Sequence, residues 1–395
     1  MFACLLIPLL FNESCKVPSP DVPYWLKDYA DIYKKDPEKA ARSWFSEAKS
    51  GMFIHFNLAS LCEYGRDDYQ DWSWGKASDR LLKFVGYTRS EYDSAVNKDS
   101  LLFLKFSISN FDTEKICRLA VKAKMKYITF TTIHAGGCYN FKTGTTDFNS
   151  LNAPCHRDLV ADLKKSCEKY NLALFFYVPP DIVKTRPAIL KRNQTILREL
   201  LTQYGPVAGM WFDGINGFYQ HPEDYEKTDS TYLLVRTLQP HCLISFKEGA
   251  NCDEDFISPE HFMLPFDYSF DTPERLEQWN IHKGRWMKNS AGRWENCFQY
   301  KLREICTVMQ KCKGRDFTDI GGGWINDERA EHLTADEVYY WLKYSQFTGS
   351  NMLMNIGLRA DGSIHPDDIK SLEGLGKIIE EKGWPETIHK VPVEN

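Results

Sequence analysis

The sequence predicts a parallel α/β barrel of the (β/α)8 type, and two observations carry that prediction. From about residue 40 onward, short apolar runs alternate with amphipathic stretches, a pattern typical of parallel strands joined by crossover helices. About eight such units over roughly 330 residues favour a closed barrel over an open sheet. We therefore predict one TIM-like barrel domain over residues 40–385, preceded by a leader and linker over residues 1–22.

The predicted strands are short runs rich in β-branched and aromatic residues. They cover residues 51–56, 127–132, 172–178, 206–212, 242–246 and 351–356. The predicted helices that separate them cover residues 114–124, 158–170, 194–203, 334–346 and 367–382. In the first of these helices Ile116, Leu119 and Ala120 share one face, and Asp112 is in position to cap its N-terminus. Such a helix packs its apolar face on a sheet.

Composition and missing motifs exclude several classes of protein. The chain is 43% hydrophobic and 26% charged, as in globular proteins. Its net charge is −5 and it has no basic stripe, which argues against a nucleic-acid partner. No glycine-rich dinucleotide or phosphate-binding motif follows a predicted strand. We expect neither a nucleotide cofactor nor nucleic-acid binding.

The N-terminal residues resemble an export signal. Residues 1–10 are apolar, and Cys15 is followed by a proline-rich stretch at residues 16–23, as at a lipoprotein acceptor site. We expect an exported periplasmic or surface protein, tethered to a membrane through Cys15. The chain has 12 cysteines without metal-ligand spacing, so no zinc site is predicted, and their scatter fixes no disulfide pairing.

Polar side chains end five of the predicted strands or follow them closely. In a parallel barrel the active site lies at the carboxyl ends of the strands, so these residues are candidates for one site. They are His55, His134, Tyr177, Asp213 and Lys247.

Asp213 is the strongest candidate for a catalytic group. A carboxylate at the end of a fully apolar strand is costly unless it is paired or functional. Glycoside hydrolysis needs two carboxylates, about 5–5.5 Å apart in a retaining enzyme. The following acidic segment could supply the second one, but the residues alone do not choose among Glu248, Asp253, Glu254, Asp255 and Glu260.

The two strand-end histidines suit sugar binding. A neutral imidazole both donates and accepts a hydrogen bond, as vicinal hydroxyls require. A metal site would need a third ligand at defined spacing, and none is evident. We therefore expect no metal and no cofactor.

Several stretches of the chain resemble glycoside hydrolase family 29, the α-L-fucosidases. They lie at residues 43–56, 111–137, 146–163, 197–214 and 351–379. The most specific elements are WFDG, which ends at Gly214, and the LMNIG and DGSI stretches near the C-terminus. The resemblance covers about residues 40–385 and does not include the C-terminal β-sandwich of many relatives.

The resemblance implies a retaining exo-α-L-fucosidase that acts on fucosylated glycans without a cofactor. Asp213 matches the family's nucleophile, and Glu260 matches its acid/base. The remaining matches are sugar-binding or pocket residues, namely His55, His134, Tyr177, Trp211, Lys247 (where many relatives have Arg) and Trp324.

The chain departs from the family pattern close to the predicted site. Ala135 stands where relatives have a second histidine, Gly136 follows in place of an acidic residue, and Cys138 replaces an aromatic residue. Two alternatives therefore stay open: another exo-glycosidase, for example one cleaving α-L-galactosides, and an inactive sugar-binding relic. The linkage, the aglycone and the oligomeric state are not predicted.

Overall fold

The computed structural model describes residues 21–263, 298–311 and 323–393. Eight parallel strands in these ranges form one sheet in the order β5-β4-β3-β2-β1-β10-β7-β6. Two further short strands, β8 and β9, pair antiparallel beside it. The strands are β1 (Ser50–His55), β2 (Tyr127–Thr131), β3 (Ala173–Val178), β4 (Gly209–Phe212), β5 (Leu243–Phe246), β6 (Phe256–Ile257), β7 (Leu302–Val308), β8 (Gln310–Lys311), β9 (Glu331–His332) and β10 (Asn351–Gly357).

The sheet closes almost completely on itself. Strands β5 and β6 form no ladder, but two backbone hydrogen bonds join their neighbourhoods. Asp255 N–H donates to the Ile244 carbonyl at 2.8 Å, and Ser258 N–H donates to the Lys247 carbonyl at 2.8 Å. The prediction of a (β/α)8-type barrel is confirmed by this arrangement and by the helices around it.

Helices surround the barrel where the periodicity predicted them. Thr113–Lys122 is capped by Asp112, whose carboxylate accepts from Lys115 N–H at 3.0 Å. The α-helices are α1 (Ala30–Tyr33), α2 (Pro37–Glu47), α3 (Gly65–Ser73), α4 (Asp79–Val85), α5 (Arg89–Ser94), α6 (Lys98–Phe103), α7 (Thr113–Lys122), α8 (Leu159–Tyr170), α9 (Pro180–Val183), α10 (Pro187–Gln203), α11 (Ile215–Gln220), α12 (Thr228–Leu238), α13 (Ala335–Phe347) and α14 (Pro366–Lys382).

Side chains of the strands alternate between two hydrophobic layers. Ile54, Ile128 and Phe176 point outward and pack under the helices. Phe53 and Trp211 point inward and fill the barrel. The strands are buried on both faces, so their sequences read as continuous apolar runs rather than as alternating ones.

An N-terminal helix closes the end of the barrel opposite the strand carboxyl ends. In α2, Trp44 stacks on Phe175 with ring centroids 6.4 Å apart, and Phe45 lies 4.5 Å from Phe256. Its N-cap is Asp36, which accepts from Lys39 N–H at 2.9 Å. This end is therefore filled by aromatic packing, and the carboxyl ends of the strands are left for the site.

Residues 1–20 of the predicted leader and linker, which include the acceptor Cys15, lie outside the described residues. The export and tether predictions are therefore untested, as are the predicted domain limits. Among the described helices, none is long and apolar enough to cross a membrane. Cys252 is disulfide-bonded. Six of the described free cysteines are buried: Cys62, Cys117, Cys138, Cys167, Cys242 and Cys306.

Candidate active site

Each of the five strand-end residues lies at the same end of the barrel. His55 is the last residue of β1, and Asp213 and Lys247 directly follow β4 and β5. Tyr177 is the penultimate residue of β3, and His134 lies in the loop after β2. The parallel register of adjacent strands brings these side chains together.

Asp213 is held by three groups. The Tyr177 hydroxyl donates to Oδ2 at 2.6 Å, and the Gly214 N–H donates to Oδ1 at 2.6 Å. Lys247 Nζ lies 3.2 Å from Oδ1. The Asp213 side chain keeps 24% of its surface exposed, so it remains accessible from the barrel mouth.

Glu260 meets the same lysine. Its Oε1 is in direct contact with Lys247 Nζ, while its Oε2 is buried and has no hydrogen-bond partner among the described residues. Backbone contacts with the neighbouring strand fix the segment, because His261 N–H donates to the Cys306 carbonyl at 2.8 Å. Glu260 therefore has one oxygen paired with Lys247 and one buried oxygen without a protein partner among the described residues.

The shared ammonium limits the distance between the two carboxylates. Two contacts of hydrogen-bond length meet at one nitrogen, so the nearest carboxylate oxygens are at most roughly 6 Å apart. Retaining glycosidases place their carboxyl groups about 5–5.5 Å apart, and inverting ones about 6.5–9.5 Å apart. The bound on the nearest oxygens of the pair is compatible with the shorter of these two spacings.

Charge pairing dominates the electrostatics of this cluster. Burial alone would raise the pKa of Asp213, but Lys247 and the hydrogen bonds from Tyr177 and Gly214 outweigh it and hold that pKa below its usual value. Burial would lower the pKa of Lys247, but the two carboxylates raise it well above its usual value. Asp213 is thus ionised, and Lys247 charged, at neutral pH.

Lys247 and His261 both have a left-handed backbone conformation. Their φ angles are 47° and 64°, in a region that non-glycine residues seldom occupy. Such strain persists where the surrounding structure enforces it, and it concentrates at functional sites. The two residues frame the acidic loop that presents Glu260.

His55 and His134 lie side by side at the mouth of the barrel, edge to face, with ring centroids 4.9 Å apart. His55 Nδ1 lies 2.6 Å from Oδ1 of Asn355, and His134 Nδ1 lies 3.3 Å from Nδ2 of Asn57. Burial lowers the pKa of His55 well below its usual value and that of His134 to about 4. Both rings are therefore neutral at neutral pH.

Aromatic rings form the floor and one wall of the site. Trp211 is 1% exposed and stacks against Tyr177 at 5.6 Å, with Lys247 Nζ 5.2 Å from its ring centroid. Trp324 lies 5.2 Å from His55 and 6.0 Å from His261. Trp211 is thus a buried support beneath the carboxylates, whereas Trp324 stands beside the histidines.

The loop that bears Trp324 is fastened to the insertion between β1 and α7. Tyr64 and Asp327 form an isolated antiparallel bridge. The Tyr64 ring lies between two guanidinium groups, with Arg80 Cζ at 3.7 Å and Arg329 Cζ at 4.2 Å from its centroid. These contacts fix the wall of the site.

The structure separates Glu260 from three of the other carboxylates in the acidic loop. Glu254 is buried and accepts from the Tyr232 hydroxyl at 2.9 Å, and Asp255 accepts from Ile244 N–H at 2.8 Å. Asp253 is exposed. In the described part of the chain, no group of three His, Cys, Asp or Glu residues is arranged to hold a metal ion.

The sequence prediction missed four residues of the site. Asn57 and Asn355 contact the histidines, and His261 contacts the Trp324 ring. Glu304 is buried inside the barrel and accepts from the Trp211 indole N–H at 3.0 Å. Asn355 interrupts the otherwise apolar run at residues 352–356, which was the available signal.

Comparisons with known proteins bear on the whole barrel. The family model described as alpha-L-fucosidase matches residues 26–384. The tissue alpha-L-fucosidase of Mus musculus is 26% identical over 354 residues, covering 86% of this chain and 70% of the relative. That of Macaca fascicularis is 26% identical over 394 residues, covering 96% of this chain and 75% of the relative.

Solved structures of similar fold point the same way. The alpha-L-fucosidase isoenzyme 1 from Paenibacillus thiaminolyticus superposes with a TM-score of 0.62 at 21% identity, over 88% of this chain and 77% of that one. The alpha-L-fucosidase AlfC from Lactobacillus casei, in complex with its alpha-L-fucose product, gives 0.61 at 21% identity, over 87% and 98%. At this identity the likeness supports the barrel fold.

Proposed function

The chain belongs to the alpha-L-fucosidase family, and from that premise we propose that it is a retaining exo-α-L-fucosidase acting on terminal α-L-fucosyl linkages. The observation that supports this proposal most strongly is that Asp213 and Glu260 both contact the ammonium of Lys247. This pairing holds two carboxylates close together at the carboxyl ends of the strands, as double displacement needs.

In the first step the Asp213 carboxylate attacks the anomeric carbon. The bond from that carbon to the leaving oxygen breaks, and Glu260 donates its proton to that oxygen. The product alcohol leaves, and the sugar is bound covalently to Asp213 with inverted configuration. The depressed pKa of Asp213 suits this role, because the nucleophile must be ionised.

In the second step water replaces the aspartate. Glu260, now ionised, removes a proton from the water as its oxygen attacks the anomeric carbon, and the bond to Asp213 breaks. The second inversion restores the original configuration, and Glu260 regains its proton. Its Oε2, which is free of protein partners among the described residues, is the atom we assign to this proton transfer.

Lys247 acts on both carboxylates without reacting itself. Its ammonium holds Oδ1 of Asp213 and Oε1 of Glu260 in one geometry, which leaves the other oxygen of Glu260 for the substrate. A fixed donor of this kind keeps reacting groups in the geometry that the reaction needs. We assign Lys247 the positioning of the two catalytic groups, besides contact with the sugar.

The sugar is held by the two histidines and the aromatic wall. His55 and His134 present polar nitrogens to the hydroxyls, and Trp324 offers an apolar face beside them. L-Fucose carries a methyl group on C5, which an aromatic face accommodates better than a hydroxymethyl group. Trp211 supports the floor from below.

The test is hydrolysis of an aryl α-L-fucoside by the wild type and by Asp213→Gly. The variant should lose turnover, and added azide should restore it by replacing the missing nucleophile, giving a β-configured fucosyl azide. The exposed Asp253, changed to Ala, is the matched control and should keep wild-type activity. Full activity of Asp213→Gly without azide would refute the assignment of the nucleophile.

The acid/base assignment has its own experiment. Glu260→Gln should slow substrates with poor leaving groups far more than those with dinitrophenyl leaving groups, because the latter depart without protonation. An equal loss for both kinds of substrate would overturn the assignment.

A second candidate function, cleavage of α-L-galactosides, is motivated by Ala135, which stands where the resemblance places a second sugar-binding histidine. A panel of aryl glycosides separates the two. Faster turnover of the galactoside would favour the second, and fucose binding without turnover of any glycoside would favour an inactive sugar-binding protein.

We also propose export with a membrane tether at Cys15, supported by the apolar run at residues 1–10 and the proline-rich stretch after Cys15. Expression of the full chain beside Cys15→Ala tests this. The wild type should fractionate with membranes and carry added lipid mass, and the variant should not. Equal amounts of the wild type and of Cys15→Ala in the membrane fraction would refute a tether at Cys15.

A further inference from the structure

The structure assigns opposite tautomers to the two histidines of the site: Asn355 holds the proton of His55 on Nδ1, and Asn57 holds the proton of His134 on Nε2. His55 therefore offers a bare Nε2 to a ligand, and His134 offers an Nε2–H. Asn57 and Asn355 are positioning residues in this account. The inference rests on the proposed sugar-binding role of the two histidines.

The orientation of the Asn355 amide follows from its backbone partners. Its Nδ2 donates to the carbonyls of Gly323 at 3.2 Å and Trp324 at 3.0 Å. The opposite orientation would put its oxygen against two carbonyl oxygens, so the amide has one satisfactory arrangement. Its Oδ1 then faces His55 Nδ1 at 2.6 Å and can only accept, so the proton of the ring lies on Nδ1.

The orientation of the Asn57 amide is fixed by a different partner. Its Oδ1 accepts from the Ala59 N–H at 2.9 Å, so its Nδ2 faces His134 Nδ1 at 3.3 Å. An amide nitrogen can only donate, and the ring nitrogen opposite must therefore be bare. In a neutral imidazole the proton of His134 then lies on Nε2.

Both rings have one nitrogen left for a ligand. In the described part of the chain, Nε2 of His55 and Nε2 of His134 make no hydrogen bond, and both rings are neutral at neutral pH. The centroids lie 4.9 Å apart at an interplanar angle of 83°, so the two nitrogens address neighbouring points. One point requires a donor and the other an acceptor.

This arrangement requires hydrogen bonds of opposite direction from two hydroxyls of the sugar. The hydroxyl that meets His55 must donate its hydrogen, and the hydroxyl that meets His134 must accept. Fluorine can accept weakly and cannot donate. Replacing the first hydroxyl by fluorine should therefore be as harmful as removing it, whereas fluorine at the second should retain part of the affinity.

Nitrogen NMR of the full chain, labelled with ¹⁵N-histidine at pH 7.5, tests the tautomers without any ligand. The changes His55→Gln and His134→Gln identify the two rings. We expect Nδ1 to carry the proton in His55 and Nε2 in His134. The same tautomer in both rings would overturn the inference, whatever the activity of the protein.

Two asparagine variants add a matched pair with the same added charge. Asn57→Asp replaces the donor by an acceptor and should move the His134 proton to Nδ1. Asn355→Asp loses the two donations to the Gly323 and Trp324 carbonyls but keeps the acceptor, so in the folded variant the His55 proton should stay on Nδ1. A His134 tautomer unchanged in a folded Asn57→Asp protein would overturn the role of Asn57. If the Asn57→Asp variant does not fold, the wild-type spectrum still tests the assignment of the two tautomers.

Binding to Asp213→Asn, measured by calorimetry with deoxy- and fluoro-fucoses, tests the consequence for the ligand. Each deoxygenation of a contacted hydroxyl should weaken binding about 10-fold or more. At one position fluorine and hydrogen should be equally harmful, and at a second the fluoro sugar should bind several-fold tighter than the deoxy sugar. If the fluoro and deoxy sugars bound equally well at every position, the assignment of opposite hydrogen-bond directions would be wrong. Failure of fucose itself to bind would instead refute the proposed function.

Discussion

Tyr177 donates its hydroxyl hydrogen to Oδ2 of Asp213 at 2.6 Å. The contact follows from strand register, because β3 pairs with β4 so that Tyr177 lies opposite Trp211 and Val178 opposite Phe212. Asp213 directly follows Phe212, the last residue of β4, and its side chain contacts the Tyr177 hydroxyl. The bond stabilises the ionised carboxylate, and burial together with Asp213 raises the pKa of Tyr177 well above its usual value.

Tyr177→Phe tests this bond. A hydrogen bond to a charged group contributes about 1.5–3 kcal/mol, so kcat/KM should fall roughly 10- to 100-fold. The pKa of Asp213 should rise, which moves the acid limb of the pH profile to higher pH. Tyr225→Phe is the control, because the Tyr225 hydroxyl is buried without a hydrogen-bond partner in the described chain. An unchanged acid limb in Tyr177→Phe would contradict the account.

The bridging lysine gives a second prediction. Lys247→Met removes the ammonium between Asp213 and Glu260, so kcat should fall about 10²–10³-fold. Lys247→Arg keeps the charge and should recover most of the rate. Steady-state kinetics with thermal melting as the folding control measures both. A folded Lys247→Met enzyme with wild-type kcat would show that the ammonium has no catalytic effect.

The pH dependence of sugar affinity follows from the neutral histidines. Burial lowers the pKa of His134 to about 4, so the ring keeps its bare Nδ1 until the solution becomes distinctly acidic. Fucose affinity of Asp213→Asn should stay flat from pH 8 to about pH 5.5 and fall only toward pH 4. A titration of affinity centred near pH 6.5 would mean that the histidines are not desolvated as described.

Glu304 gives a prediction about stability. It accepts from the Tyr127 hydroxyl, the Trp211 indole and the Ser258 hydroxyl, and burial raises its pKa from 4.5 to about 7. A raised folded-state pKa contributes stability that is complete below pH 4.5 and is lost as the pH rises through 7. This pKa difference corresponds to roughly 3 kcal/mol.

Glu304→Gln mimics the protonated acid and removes this pH dependence. Between pH 5 and pH 8 the wild type should lose more unfolding free energy than the variant, by up to roughly 3 kcal/mol. Denaturant unfolding at the two pH values measures the difference. Parallel losses in the two proteins would show that Glu304 does not titrate in this range.

Much of the barrel could be predicted from sequence, because its strands are buried on both faces and are bounded by capped helices. The 172–178 run and the helix begun by Asp112 are observed within two residues of their predicted limits. The strand β6 escaped prediction because it has only two residues, Phe256–Ile257. The four short helices α3 to α6 escaped because their apolar positions are too few to set a period.

The site could be predicted only in part. Strand-end position indicated Asp213 and Lys247, because the fold alone brings such residues together. The residues alone did not separate Glu260 from Glu254, since the difference between them is the burial of Glu254 under Tyr232; only the family resemblance indicated Glu260. The supporting roles of Asn57 and Asn355 depend on side-chain contacts between neighbouring strands that are far apart in the sequence, which no local pattern encodes.

The central claim is that Asp213 forms a covalent bond with the sugar while Glu260 handles the proton. The most direct test is incubation of the protein with 2-deoxy-2-fluoro-L-fucosyl fluoride, which slows release of the glycosyl-enzyme, followed by intact mass measurement and peptide mapping. The account predicts one added fluorofucosyl group on the peptide that contains Asp213. A label on the Glu260 peptide, or steady turnover with no covalent species, would contradict it.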